Sequence, residues 1–482
     1  MEKREKGLSA WQLTMMALGT VIGGSFFLGS SVAIHASGPS ILIAYIIGGL
    51  LVYFILFALS EMTVANPDSG SFRTFAAQAF GKGTGFVVGW VYWTGMVLAM
   101  SSEATAVSIL VREWLPNMSL PLLGGGIIIG VTLLNLLGAD KLSKLESGLA
   151  IIKLFAIFSF VIMGALLIFG VFPQNAAAGA QELTREPLMP GGLKSVAGSM
   201  LIVMFSYAGF EIIGLASSEV ENPKETIPKA IRYTVFCLVG FYIISIAVLL
   251  FLIPTAEINE STSPFVAALN RRGFGWAGTA INLVLITAIL STMLASMFGL
   301  GRMMRSLAEE GLAPGWLQDH RDVPYRGILF SGFGMLLGLG LGMLLPRVYL
   351  FLISSGGFAL LFTYVIIMAT HIRFRKKNGC PPDGKCQLWG FPFTSLFVLL
   401  SLVIIIVSMP FVSGQTSGLI AGISLILFYF ICYVAMQFLN RIRKNQPQRR
   451  QNLRGLQARF SAETAEELID PPQENKKENG DN

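Results

Sequence analysis

Apolar runs long enough to cross a bilayer follow one another along almost the whole chain, separated by short polar loops. A hydrocarbon core about 30 Å thick takes roughly 20 apolar residues of helix. Runs of that length fall near residues 11–35, 40–65, 84–111, 120–138, 146–171, 194–218, 231–253, 276–304, 327–345, 347–371, 391–411 and 417–440. They predict an all-α polytopic membrane protein of 12 transmembrane helices in one domain, residues 11–440. A short segment, residues 1–10, precedes it. A polar tail, residues 441–482, rich in Arg, Gln, Lys and Glu, follows and reads as disordered.

Two of the runs break on glycine. The first, LTMMALGTVIGGSFFLGSSVAI (Leu13–Ile34), carries Gly19, Gly23, Gly24 and Gly29. The sixth carries Gly209 and Gly214 after Phe205 and Tyr207. Glycine-interrupted segments in corresponding places of two halves point to the substrate site of an inverted-repeat transporter. Unwound backbone at membrane depth is tolerable only where it lines such a cavity. Glycine also lets helices approach closely, which is reason enough for the run Gly338–Gly342.

Composition sharpens this picture. The 482 residues are 53% hydrophobic and 13% charged, with a mean hydropathy of +0.65; a soluble domain carries about a quarter charged residues. The net charge of +7 does not point to nucleic acid, because most of the 35 Lys and Arg fall in loops on the N-terminal side. Positive loops stay in the cytoplasm, so both termini are expected there, in the cell (plasma) membrane, which agrees with an even number of spans. MEKREK precedes an apolar run too long for a signal peptide, with no small-residue cleavage pattern, and reads as the start of an uncleaved span.

Cys237 and Cys432 lie within spans as small apolar packers. Cys380 and Cys386 lie in a cytoplasmic loop where thiols stay reduced. With His371 alone nearby they are too few for zinc. No cofactor or metal is expected. His35, His320 and His371 lie near span ends or in loops, and no nucleophile–base pair follows from the spacing, so no enzyme is expected.

Ionisable residues inside spans cost about 2.5–3.5 kcal/mol each on insertion scales, so each needs a reason. Lys153 lies roughly 10 Å into the fifth run; its stem is long enough to snorkel to the interface. Glu103 in the third run has three readings: a proton relay, a substrate contact, or a neutral hydrogen-bonded carboxyl tying helices together. Glu211 ends the sixth-run break, where it would cap freed N–H groups, pair with a cation or carry a coupling proton. Glu61 and Glu219 read as interface residues near helix ends, and Asn135 and Asn282 as interhelical hydrogen bonders. Pro223 and Pro228 read as helix stops.

Three loop blocks carry a resemblance: the P-x-S-G-S-F block at Pro67–Phe72, E-x-x-N-P-x-x-x-I-P-x-A at Glu219–Ala230, and GRMM-x-SLA-x-EGLAP at Gly301–Pro314. In that order they resemble a bacterial amino acid permease of the amino acid–polyamine–organocation superfamily, within its proton-coupled amino acid transporter group. The resemblance covers roughly residues 7–440. It implies a LeuT-like five-plus-five inverted repeat with discontinuous helices 1 and 6. The repeats would cover about 11–171 and 194–371, with the last two helices at about 391–440.

The resemblance assigns the substrate carboxylate to the N–H groups around Gly23, Gly24 and Ser25 at a half-helix N-terminus. The order Gly-Gly-Ser departs from the family's commoner Gly-Ser-Gly, which leaves Ser25 or the backbone alone to make the contact. The carbonyls of Val21, Phe205 and Ala208 would hold the ammonium, under the Phe205 ring. A ring over an ammonium contributes about 0.5–2 kcal/mol. Lys153 matches a lysine whose ammonium stands where sodium-coupled relatives hold sodium, which implies proton symport, with Glu103 and Glu211 as further coupling candidates. Leu294 and Ala295 replace an Asn-Ser pair common in the group, which suggests an apolar substrate side chain. The expected function is therefore proton-coupled amino acid import by alternating access, with an exchanger and a non-transporting amino acid sensor as alternatives. The partners are a small amino acid, protons and the lipid bilayer, with no nucleic acid.

Overall fold

The computed structural model describes residues 9–66, 71–171, 186–190, 192–215, 220, 222–259, 262–319, 323–345, 347–380, 386–412, 414–439 and 441. The expected disordered tail, Glu219 and most of the Pro67–Phe72 block lie outside these residues, as does nearly all of the N-terminal segment. Among the described residues the regular structure is helical. Nine helical stretches among the described residues are long and apolar enough to cross a membrane, and Leu120–Asn135 and Gly192–Ser206 are shorter apolar helices. The chain is a multi-pass membrane protein. Two compact units divide after Leu427, and the cavity and every candidate residue belong to the first. The second contains the end of the helical stretch Thr416–Leu439.

Helix α1 (Ala10–Val21) starts on a capping box. The Gln12 N–H donates to Ser9 Oγ at 3.3 Å, and the Ser9 N–H donates to Gln12 Oε1 at 3.0 Å. The helix stops at Val21; Ile22 and Gly23 are extended, and helix resumes as α2 (Gly24–Phe27) and α3 (Gly29–Ser37). Then follow α4 (Ile41–Ala65), α5 (Ser71–Phe80), α6 (Lys82–Val111), α7 (Leu120–Asn135) and α8 (Ala139–Ile168). The second interruption separates α9 (Gly192–Ser206) from the single turn α10 (Ile212–Leu215). Beyond it lie α11 (Pro223–Leu252), α12 (Pro264–Arg271), α13 (Gly275–Glu309), α14 (Tyr325–Met343), α15 (Val348–Asn378) and α16 (Phe393–Ser408).

The most apolar windows of α6 and α15 are 83% and 78% buried, against 28% for α16. The first two therefore form the centre of this unit, and α16 turns most of its apolar surface outward. Small residues let α6 and α15 meet: a Cβ on Gly95 would lie 2.5 Å from Ala359 Cβ, and one on Gly356 3.1 Å from the Gly95 carbonyl. In the Gly338–Gly342 run, Gly338 similarly faces Ser101 on α6.

Four local expectations change. Pro223 opens α11 at a position whose N–H needs no helical partner, but Pro228 lies inside that helix instead of stopping it. Asn135 Nδ2 donates to Val131 O within its own helix, whereas Asn282 Nδ2 does cross, to Leu110 O and Glu113 Oε2. Cys380 and Cys386 are joined in a disulfide, with Cα atoms 4.8 Å apart, where free thiols were expected. Glu61 is no interface residue, as described below.

Candidate functional site

The two interruptions touch. Gly209 has φ +107°, and a Cβ there would stand 2.9 Å from the Thr20 carbonyl oxygen and 3.4 Å from Val21 Cα. Only glycine lets the sixth-run turn lie this close on the end of α1. Thr20 Oγ1 in turn donates to Gly209 O at 3.2 Å. Around this contact lies a cavity lined by Thr20, Val21 and Ser25 from the first break, and by Phe205, Ala208 and Gly209 from the second. Its volume is about 20 Å³, room for about one water.

The structure thus brings Val21, Ser25, Phe205 and Ala208 to one cavity, with Gly23 and Gly24 beside them in the first break. Phe205 O accepts the Ala208 N–H at 3.0 Å, so this carbonyl is only partly freed by the break. Ser206 Oγ donates to Ser25 O across the two interruptions at 3.2 Å.

Lys153 is fully buried, which removes snorkelling as an account of its position. From α8 its Nζ donates to Gly19 O at 2.6 Å, to Ile22 O at 3.3 Å and to Thr292 Oγ1 at 3.2 Å. The ammonium therefore caps the carbonyl end of α1, where the helix dipole favours a cation. Thr292 joins the cap by donating to Ile22 O at 2.9 Å.

Glu103, on α6, points at the other side of the same break. Its Oε2 accepts the Gly24 N–H at 2.6 Å and its Oε1 the Ser25 N–H at 3.2 Å. Glu211 lies on the far side of the second break. It accepts from Tyr92 Oη at 3.0 Å, Tyr364 Oη at 3.4 Å and the Gly209 N–H at 3.1 Å, all neutral donors. Lys153 and Glu103 thus cap opposite sides of the first break, Glu211 is held by neutral donors at the second, and of the three Glu103 lines the cavity.

The amino acid permease family profile matches residues 12–449, nearly the whole helical region. The chain belongs to the amino acid permease family. This permease is 34% identical over 435 residues to the gamma-aminobutyric acid permease of Bacillus subtilis, covering 88% of this chain and 93% of the relative. It is 31% identical over 449 residues to the amino-acid permease RocC of the same organism, covering 89% and 94%. It is 32% identical over 423 residues to the aromatic amino acid transport protein AroP of Salmonella typhimurium, covering 86% and 92%. The permease transports amino acids across a membrane, and its family consists of transporters, not enzymes.

Sequence reasoning missed the rest of the cavity wall: Met96, Ala99 and Met100 on α6, Thr292 and Ser296 on α13, and Leu360 on α15. The α6 residues were recoverable, since positions three, four and seven before Glu103 share its helix face. The others come from distant helices and leave no such signal.

Glu61 was misread. It is fully buried on α4; its Oε1 accepts from Arg375 Nη1 at 3.0 Å and from the Gln387 and Leu388 N–H groups at 2.6 and 2.8 Å. Its Oε2 lies 2.7 Å from His371 Nε2 and 2.8 Å from Arg375 Nη1. The cluster ties α4 and α15 to the segment entering α16. His371 and Arg375, one helical turn apart on α15, were the available signal.

Proposed function

We propose that this permease imports amino acids across the plasma membrane by proton symport, through alternating access of one central site. In this reading the fold is a five-plus-five inverted repeat of 12 spans with two outer helices and both termini in the cytosol. The repeats cover about 11–171 and 194–371. The substrate carboxylate takes the N–H groups of Gly23, Gly24 and Ser25. Its ammonium takes the carbonyls of Val21, Phe205 and Ala208, covered by the Phe205 ring. Lys153, Glu103 and Glu211 carry the proton coupling.

The observation that carries symport with protons is the Lys153 ammonium on Gly19 O, Ile22 O and Thr292 Oγ1. A fixed protein cation there takes the place of a bound metal cation, and an ionisable side chain buried within a span is a candidate for a proton relay. The relatives whose names specify gamma-aminobutyric acid and aromatic amino acids support an amino acid substrate. The apolar wall of Met96, Met100 and Leu360 supports an uncharged side chain.

Uptake into proteoliposomes under an imposed inward proton gradient tests this. Gradient-driven accumulation is expected, and Lys153→Ala should abolish it. Uptake indifferent to the gradient that requires internal amino acid would make the protein an exchanger. Binding without counterflow would make it a sensor. Full accumulation by Lys153→Ala would remove the lysine from coupling.

A further inference from the structure

The carboxylate of Glu103 stands where the proposed function puts the carboxylate of the substrate. It holds both the Gly24 and the Ser25 N–H groups, at 2.6 and 3.2 Å. The overlap is steric as well as chemical: even a Cβ added to Gly24 would come within 2.6 Å of Oε2. The remaining cavity, about 20 Å³, takes a water and not an amino acid. These N–H groups therefore serve one carboxylate at a time.

Resting on the amino acid reading above, we infer that Glu103 is a built-in occupant of the substrate's carboxylate cradle. The arriving substrate displaces it, and Glu103 takes up a proton as it leaves. The charge accounting at the site points the same way. In the cradle, Glu103 has two N–H donors and the charge of Lys153, which reaches the break from α8. Tyr242 from α11 also bears on it electrostatically, and Tyr349 from α15 reaches the same break, its Oη donating to Gly24 O at 3.5 Å. The first break offers backbone and the hydroxyls of Thr20 and Ser25, α13 offers Thr292 and Ser296, and α9 and α15 offer Phe205 and Leu360. Beside Glu103 on α6 the cavity wall is Met96 and Met100, which give a charge no hydrogen bond. An unpaired ion in such surroundings is far more costly than the neutral acid.

The exchange keeps one negative charge near Lys153 before and after binding. The substrate brings its carboxylate in, and Glu103 becomes neutral with a proton from the water on the open side. When the substrate leaves on the other side, Glu103 returns to the Gly24 and Ser25 N–H groups and releases that proton there. One proton then travels with each amino acid. A molecule with an ammonium but no carboxylate cannot drive the exchange.

The test uses purified full-length permease in detergent. The standard L-amino acids and γ-aminobutyrate are screened for binding, and the tightest becomes the probe, alongside its decarboxylated amine. In weakly buffered alkaline solution with an indicator dye, probe binding by the wild type should take up about one proton per site. Its Kd should weaken about tenfold per pH unit above the titration of Glu103, the slope for one linked proton. Glu103→Gln should bind the probe with a Kd flat in pH and take up no proton.

A pH slope retained by Glu103→Gln assigns the proton elsewhere and overturns the proposal. Wild-type binding without proton uptake overturns it too, whether or not the variant folds. So does an amine that binds as tightly as its parent amino acid. If no amino acid binds, the functional reading falls and the proposal with it; if one binds and the proton result is negative, only the proposal falls.

Discussion

Gly209→Ala is the sharpest probe of the contact between the two breaks. The residue sits at φ +107°, where an L side chain is strained by about 1–2 kcal/mol. The new methyl would also stand 2.9 Å from Thr20 O and 3.1 Å from the Thr20 carbonyl carbon. These are backbone atoms of the last turn of α1, held by the Lys153 cap on Gly19 and Ile22, so no rotamer change relieves the contact. Overpacking of this kind costs about 1–3 kcal/mol, for a total of about 2–5 kcal/mol. Gly170 is the control: φ is +69° and nothing lies within 4 Å of a Cβ there, so Gly170→Ala carries the strain alone. Unfolding by SDS in mixed micelles, followed by tryptophan fluorescence, should show Gly209→Ala losing at least about 1 kcal/mol more than the control. Counterflow should fall in Gly209→Ala and persist in Gly170→Ala, because Thr20 and Gly209 both line the cavity. Equal stability loss in the two variants, with transport intact, would refute the described contact.

Two further expectations concern charges outside the site. Glu61→Ala leaves two backbone N–H groups without this acceptor and the buried Arg375 guanidinium with the Leu388 carbonyl but no counter-charge, and should cost about 3–5 kcal/mol, read as lost thermal stability in detergent; a loss under about 1 kcal/mol would contradict the network. At the end of α13, hydrogen bonds from the buried Arg73 guanidinium, at 2.5 and 2.7 Å, hold the Glu310 carboxyl below its ordinary value of 4.5. A depressed folded value means that this stabilisation is present above 4.5 and is lost as pH falls through the folded value. Because Glu310 is 46% exposed, the contribution is about 1 kcal/mol or less. Glu310→Gln should therefore differ from the wild type at neutral pH and converge with it in acid; a gap that widens in acid would reverse the assignment.

The sequence by itself determined the all-helical membrane architecture, the two breaks and the family. Hydropathy is a property of each run taken alone, and a glycine interruption is local to its own helix. The choice of Lys153, Glu103 and Glu211 followed from the same local rule, that a charge within a span needs a reason. Their partners were not local. Glu103 meets Gly24 across 79 positions, Lys153 meets Gly19 across 134, and Glu61 meets Arg375 across 314. Which faces of α4, α6, α8 and α15 turn toward one another is settled by how side chains interdigitate across several helices, and no single run encodes that. Only the tertiary structure decided that Lys153 caps the end of α1, that Glu61 is a buried anchor, and that Glu103 occupies the N–H groups of the first break. The breaks were legible because glycine marks them in one segment. Their occupants were not, because an acceptor is chosen by the helix that packs against it.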